Sequence, residues 1–302
     1  MSLGVLNNIS AVYAENALNN TNNSLNTVLQ QLSSGSKINS GADDAAGLSL
    51  VDGLEANQTA LTQSQTNATE GVGLLQVADG ALSQVTSLLN RAVTLATEAS
   101  NGTLNSSQDA AANQEYQSIL SEINNIGSTT TYNGNAVFGP TDAVNIYTGD
   151  STTTGASIDA LTIDTLSSSS LGDTDGAMAY TAGADGTPAT ISYTASAGED
   201  LSKTDLTSQS DAETALTDLN SAITDVAAQD GYVGAQINTL NSVSQVESTQ
   251  QENIESAQNA VQATDYASAT SNMSKYEILS QTGISALAQA NSVQQEVLKL
   301  LQ

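Results

Sequence analysis

The chain has 302 residues with no His, Cys or Trp, and 32 Asp and Glu face only five Lys and Arg, for a formal net charge of −27. Missing His and Cys remove the usual metal ligands, the thiol nucleophile and the commonest general base near neutral pH, so no enzyme, metal or cofactor is expected. Five scattered bases exclude nucleic acid and anionic membrane surfaces as partners, and 3% aromatic residues leave Leu, Val, Ile and Ala to build a core of helix seams.

The opening MSLGVLNNISAVYAENALNN has neither a basic leader nor an uninterrupted apolar run, and no stretch approaches the length of a membrane span. Secretion is therefore expected by another route. Leu18, Leu25 and Leu32, with Val28 and Leu29, recur at helical spacing and predict an amphipathic N-terminal helix. A Gly- and Ser-rich turn follows, holding Asp43 and Asp44. Adjacent carboxylates point in different directions, so helix capping is favoured over acid–base chemistry.

The first long seam runs through Leu75, Ala78, Leu82, Val85, Leu89, Ala92, Ala96 and Ala99 in alternating steps of three and four. It extends backwards at sevens through Ala68, Leu61 and Leu54, where the companion positions Gln58 and Gln65 are polar. The GVGLL at 71–75 is only a fragment of a dinucleotide fingerprint, with no preceding strand. After the turn-like NGTLNSS of 101–107, Tyr116, Ile119, Leu120, Ile123 and Ile126 predict a shorter third helix.

The texture changes over 139–205, which is rich in Gly, Ser, Thr, Asp and Ala and holds Pro140 and Pro188. Short alternating runs at Val144 and Ile146, Ile158 and Ile163, and Ile191 and Tyr193 predict a small β-rich, surface-exposed insertion. Asp173, Asp175 and Asp185 lack the spacing and terminal Glu of a calcium loop.

A second seam joins Leu216, Leu219, Ile223, Val226, Val233, Ile237 and Leu240, with Asp230 as the misfit, and continues through Ile254 and Val261. Neither long helix can bury its stripe alone, so an antiparallel pairing is expected. The last stripe, Leu279, Ala286, Ala290, Val293, Val297, Leu300 and Leu301, reaches almost to the C-terminus. Chain ends fray unless tied down, so these stripes pack either on each other in an intramolecular coiled coil or on neighbouring copies. Charge bears on that choice. Residues 1–45 carry Glu15, Asp43 and Asp44 against Lys37, and 255–302 carry Glu255, Asp265, Glu277 and Glu296 against Lys275 and Lys299, a net of −2 at each end, which leaves −23 between them. Near-neutral ends around an acidic middle fit copies crowded at their ends and facing water elsewhere; an acidic soluble protein with charge-poor tails is the alternative.

The block LQQLSSGSKINSGADDAAGLSL at 29–50 resembles the N-terminal signature of bacterial flagellins. The resemblance continues in EINNIGSTTTYNGNAVF at 122–138 and in TDYASATSNMSKYEILSQTGISALAQANSVQQEVLKLL at 264–301. It covers about 1–138 and 206–302 and leaves the middle, which flagellins vary most, uncovered. It implies a mainly α fold, a long antiparallel coiled-coil bundle of the N- and C-terminal regions with a small β-rich outer domain. In the family, residues matching 1–45 and 255–302 fold on assembly into an inner filament core, 46–138 and 206–254 form a rod outside it, and 139–205 faces solvent. The implied function is a subunit of the extracellular flagellar filament, with itself as main partner and with an export apparatus, export chaperone, cap and junction proteins.

Some positions depart from the family. Lys37 stands where Arg is usual, and Ala260, Gln262 and Ala263 stand where many members place Arg, Glu and Asp. The pattern R-V-R-E-L that Toll-like receptor 5 recognises appears here as Arg91, Ala92, Val93, Thr94 and Leu95. By that resemblance Arg91, Leu95 and Glu115 are the receptor-contact candidates, against a plain helix-surface role for Arg91. A hook–filament junction protein and an adhesin on a helical stalk are the competing readings of the whole chain.

Overall fold

The computed structural model describes residues 8–138, 144–149, 158–161, 163, 166–171, 178–181, 190–193 and 200–300. Pro140, Asp173, Asp175, Asp185, Pro188 and Leu301 lie outside these, as do the side chains of Val297 and Leu300. Five helices dominate: α1 (Ile9–Ser34), α2 (Ala45–Ser100), α3 (Ser106–Thr129), α4 (Gln209–Gln262) and α5 (Tyr266–Leu300). Eight short strands pair as antiparallel hairpins: β1 (Thr131–Tyr132) with β2 (Asn135–Ala136), β3 (Val144–Tyr147) with β4 (Ile158–Leu161), β5 (Leu166–Ser167) with β6 (Ser170–Leu171), and β7 (Met178–Thr181) with β8 (Thr190–Tyr193). The predicted mainly α architecture with a small β-rich middle is therefore present. The chain divides into two compact units, one of Met1–Ala56 with Asn253–Gln302 and one of Asn57–Glu252.

In the Asn57–Glu252 unit, α2 and α4 run antiparallel. Thr62 receives a hydrogen bond from Gln251 at 3.0 Å, Ser64 donates to Glu247, and Gly71 faces Leu240, so contacts climb one helix as they descend the other. Leu61, Leu75, Leu82, Val85 and Leu89 are fully buried along α2, as the seam predicts. Between them the positions facing the core are Ser64, Ala68, Gly71 and Ala78, not Gln58 and Gln65, which are half-buried, and Leu54 is also only half-buried. On α4 the centre of the seam falls on Leu219, Ala222, Val226, Gln229, Val233, Gln236 and Leu240, while Leu216, Ile223, Asp230 and Ile237 flank it half-buried. Between the buried Leu219, Val226, Val233 and Leu240 the centre is completed by Ala222, Gln229 and Gln236, with longer aliphatic chains at its sides.

Among the described residues α2 is the one helix long and apolar enough to cross a membrane by length and composition, contrary to the reading that no stretch approaches that length. Its apolar residues are spent on the seam against the other helices.

Helix α3 starts where the turn predicts. Asn105 accepts from the N–H groups of Ser107 and Gln108 while Gln108 reaches back to Asn105 N–H, a capping box that satisfies the free donors of the first turn. Tyr116, Ile119, Leu120 and Ile123 are buried. The returning segment lies along this helix: Tyr116 hydroxyl bonds Thr204 Oγ1, Gln117 donates to Thr204 O at 2.9 Å, and Leu206 N–H donates to Asn113 at 3.0 Å. Burial pushes the Tyr116 hydroxyl pKa up, opposed by the bond to Thr204 and aided by the negative Asp218 and Asp205.

Two hairpins seat on helices. Asn124 of α3 donates to Ser168 Oγ at 2.8 Å and accepts from Ser168 N–H at 2.7 Å, holding the β5–β6 turn. Strand β3 lies over α2, with Ile146 against Gly71, Asn67 donating to Tyr147 O at 3.0 Å and Gly149 N–H donating to Ser64 at 2.6 Å. The GVGLL fragment is thus mid-helix, its glycines making room for Ile146 and Leu240 at Gly71 and for Tyr132 at Gly73.

Candidate assembly surface at the paired termini

In the unit of Met1–Ala56 and Asn253–Gln302, α1 and α5 form an antiparallel hairpin. Asn8 Nδ2 donates to Ala290 O at 3.0 Å, Ser280 Oγ donates to Asn22 at 3.1 Å, and Leu18 fills the space over Gly283. Helix α1 begins at Asn8, whose side chain accepts from Ala11 N–H, and ends at Gly35, whose φ of 71° places it in the left-handed region that glycine adopts without strain.

The breaks between α1 and α2 and between α4 and α5 are tied together by main chain. Lys37 N–H donates to Gln262 O at 2.7 Å and Thr264 N–H donates to Gly35 O at 3.1 Å, with Ser36 and Ala263 bridged antiparallel. Gln31 Nε2 adds a bond to Lys37 O at 3.0 Å. Lys37 and Gln262 are thus joined through backbone groups, with Ala263 bridged to the neighbouring Ser36.

The Asp43–Asp44 pair caps. Asp43 Oδ2 accepts from Asn39 N–H at 3.1 Å, Ser40 N–H at 2.9 Å and Ser40 Oγ at 3.0 Å, and these donors, Asn39 first, hold its carboxyl below the ordinary value. Asp44 Oδ1 accepts from Ala46 and Gly47 N–H at 3.1 and 2.9 Å, capping α2. A Cβ on Gly47 would lie 2.6 Å from both Asp44 Oδ2 and Ile38 Cδ1, so those side-chain ends would have to shift to admit it.

The hairpin buries little. Val28 is the one buried residue of α1, with Leu18, Leu25 and Leu32 half-buried and Leu29 exposed. On α5 the half-buried face is Met273, Tyr276, Ser280, Gly283, Leu287 and Ala290. Among the described side chains of the predicted C-terminal stripe, Ala290 joins that face, and Leu279, Ala286 and Val293 are exposed. Ile9, Val12, Tyr13, Ile278 and Ile284 are each more than half exposed, Ile278 at 66%. Sequence reasoning had no reason to select Ile9, Val12, Tyr13, Ile278 or Ile284, because they sit beside the seven-residue repeat and not on it.

The receptor-contact candidates divide. Arg91 and Glu115 are exposed and ion-paired to each other, whereas Leu95 is 4% exposed within the helical core. Among the described residues no group of three or more acidic side chains is arranged to hold a metal.

Comparison with known proteins gives this arrangement a family. Residues 5–142 match the bacterial flagellin N-terminal helical region and residues 216–301 the bacterial flagellin C-terminal helical region. The flagellin of Listeria monocytogenes is 31% identical over 97% of this chain and 98% of its own length, and the flagellin of Halalkalibacterium halodurans 29% over the same shares. The flagellar filament 30.7 kDa core protein of Treponema maltophilum is 28% identical, again over 97% of this chain and 98% of its own length. A crystal structure of Bacillus cereus flagellin is 26% identical, covers 60% of this chain and 88% of that one, and superposes with a TM-score of 0.44. With helical signatures matched at both ends and relatives aligned along nearly its whole length, the chain belongs to the bacterial flagellin family, the structural subunits of the flagellar filament.

Proposed function

We propose that this chain polymerises through the exposed faces of α1 and α5 into the helical filament that bacteria rotate to swim. One observation carries the reading: a hairpin of two long helices keeps Ile9, Val12, Tyr13, Ile278, Leu279, Ile284 and Val293 in water. Apolar surface of that extent marks an interface awaiting its partner. Identical subunits meeting head to tail in contacts that do not close give an open helix, hence a filament. The low net charge of the termini, −2 at each end, keeps the Coulomb cost of stacking them small.

On this reading 1–45 and 255–302 form the inner core of the filament, with Leu18, Leu25, Val28, Leu29, Leu32, Leu279, Ala286, Ala290, Val293, Val297, Leu300 and Leu301 as its packing residues. Residues 46–138 and 206–254 form the rod, and 139–205 the outer face. The chain acts outside the cell, reaches it through the flagellar export apparatus with a chaperone, meets the filament cap and junction proteins, and performs no catalysis. Recognition by an innate immune receptor through Arg91 and Glu115 belongs to the same proposal, with Leu95 supporting them from the core.

The test is removal of about thirty residues from either end. The expected product is folded and soluble but no longer yields sedimentable fibres visible by electron microscopy. Undiminished fibre growth by either truncation would refute the reading.

A further inference from the structure

An asparagine or aspartate that precedes glycine carries a reaction of its own. The glycine nitrogen can attack the side-chain Cγ, because no Cβ on the attacking residue crowds the approach. A C–N bond closes a five-membered succinimide; from asparagine, Nδ2 leaves as ammonia with the proton that the backbone nitrogen gives up. Water then opens the ring at either carbonyl, giving aspartate or isoaspartate, whose main chain runs through Cγ. The step needs the glycine N–H outside a hydrogen-bonded ladder and a backbone free to turn until nitrogen meets Cγ.

Five such dipeptides fall among the described residues: Asp52–Gly53, Asp79–Gly80, Asn101–Gly102, Asn133–Gly134 and Asp230–Gly231. The three aspartates lie inside α2 and α4, where each N–H is committed to the carbonyl four residues back and the backbone is fixed on both sides. Asn133–Gly134 is exposed but locked. The two residues connect Tyr132 to Asn135, which pair across the β1–β2 hairpin, and φ of 51° and 80° put both in the left-handed region of a tight turn. Behind the pair Val137 N–H closes on Thr130 O at 3.1 Å, and the Tyr132 hydroxyl seats against Gly73 of α2. Turning Asn133 far enough for attack undoes this hairpin.

Asn101–Gly102 is held more loosely. Asn101 is the first residue beyond α2, its N–H reaches Glu98 O only at 3.4 Å, and Asn101, Gly102 and Thr103 are all exposed. Asn101 Nδ2 donates to Thr103 Oγ1 at 3.2 Å, so the carboxamide already lies along the segment that contains the Gly102 nitrogen. The chain is gripped again at Leu104, packed on the core, and at Asn105, whose side chain caps α3 through Ser107 and Gln108. We propose that Asn101 is a site of spontaneous covalent modification: in the folded chain it closes on Gly102, releases ammonia and is converted by water to isoaspartate and aspartate, while Asn133 persists. The conversion places a carboxylate at the negative end of α2, in the turn that holds Glu98 and with no basic residue there to offset it.

The test follows the full chain at physiological temperature and mildly alkaline pH in heavy-oxygen water, which marks each new carboxylate. Digestion after Glu98, Glu115 and Glu122 puts Asn101 and Asn133 in separate peptides. Fragmentation in a mass spectrometer then locates the label, and an isoaspartyl methyltransferase reports the isoaspartate. In the folded protein Asn101 is expected to convert at least about tenfold faster than Asn133, which must first open its hairpin. In urea the two rates should converge, since the dipeptide is the same. Asn101→Gln should abolish the signal from the 99–115 peptide, because its side chain is a methylene too long to close a five-membered ring. An unlabelled Asn101 in the folded chain, equal folded rates at the two sites, or a rate ratio that urea leaves unchanged each overturns the proposal. So does a label that survives in Asn101→Gln, which would belong to Asn105 or Asn113.

Discussion

Arg91 on α2 grips Glu115 on α3 with two donors, Nε and Nη2 reaching the same Oε1 at 2.8 and 2.6 Å. Both side chains are about half exposed, at 53% and 48%, so water and salt screen the pair. A double-mutant cycle of Arg91→Gln and Glu115→Gln is expected to give a coupling below about 1 kcal/mol. A coupling of about 3 kcal/mol, typical of breaking a buried pair, would mean that α2 and α3 depend on this contact and not on Tyr116, Ile119 and Ile123.

Gly127 sets a steeper test. A Cβ there would sit 1.7 Å from the Leu166 carbonyl oxygen and 2.8 Å from its carbon, so Gly127→Ala must lift the β5–β6 hairpin away from α3. Alanine is the better helix former by about 1 kcal/mol, yet overpacking of this kind costs about 1–3 kcal/mol. Urea unfolding should show net destabilisation. Gly231→Ala is the control: nothing lies within 4 Å of its Cβ, and the helix gain alone should appear.

Acid should act in opposite directions at two aspartates. Burial and then the bond and negative charge of Asp79 raise the Asp230 pKa above its ordinary value. The folded state then binds more protons than the unfolded one, so this group lowers stability above its folded pKa and the penalty disappears below the unfolded pKa. Asp230→Asn is expected to raise the unfolding midpoint at neutral pH, with the advantage fading as pH falls into the carboxylate range. Asp43 is the converse. Its pKa is depressed, so its contribution is present above the unfolded pKa and is lost as pH falls through the folded one. Paired unfolding curves for Asp230→Asn and Asp43→Asn between neutral and acid pH check both signs; parallel curves would contradict them.

The seam of α2 was legible because Leu75, Leu82 and Leu89 repeat at seven and are fully buried. Its earlier half keeps the same three-residue step, from Leu61 to Ser64 and from Ala68 to Gly71, so the companions are these two and not Gln58 and Gln65, and neither carries an apolar signal. Ser64 is there to bond Glu247 and Gly149, and Gly71 to admit Ile146 and Leu240; both reasons depend on chain far away in sequence. On α4 the buried positions are Ala222, Gln229 and Gln236, each one residue before Ile223, Asp230 and Ile237, where the repeat runs. At the termini the repeat named Leu279, Ala286 and Val293 but could not say which face the hairpin would cover, since Leu18 opposite Gly283 fixes the rotation of α5. Caps were easier: Asp44 lies just before an apolar run, and a side chain reaching its own helix needs only local geometry.

A charge on the uncovered face separates assembly from folding more finely than truncation does. Ile278 is 66% exposed on α5, one residue from Leu279 and away from the half-buried Gly283 and Leu287. Ile278→Glu should leave the monomer's circular dichroism and unfolding midpoint nearly unchanged, because an exposed helix position away from such features tolerates substitution within about 0.5 kcal/mol. If that face becomes buried between subunits, an unpaired carboxylate there costs several kcal/mol per contact, and fibre growth should stop. Gly283→Leu is the complementary change. It strikes Leu18, within 3.2 Å of the added Cβ, and should loosen the hairpin before any partner arrives. Sedimentation with electron microscopy, read beside monomer helicity, distinguishes the two. Normal fibres from Ile278→Glu would place the subunit contacts on some other face of α5.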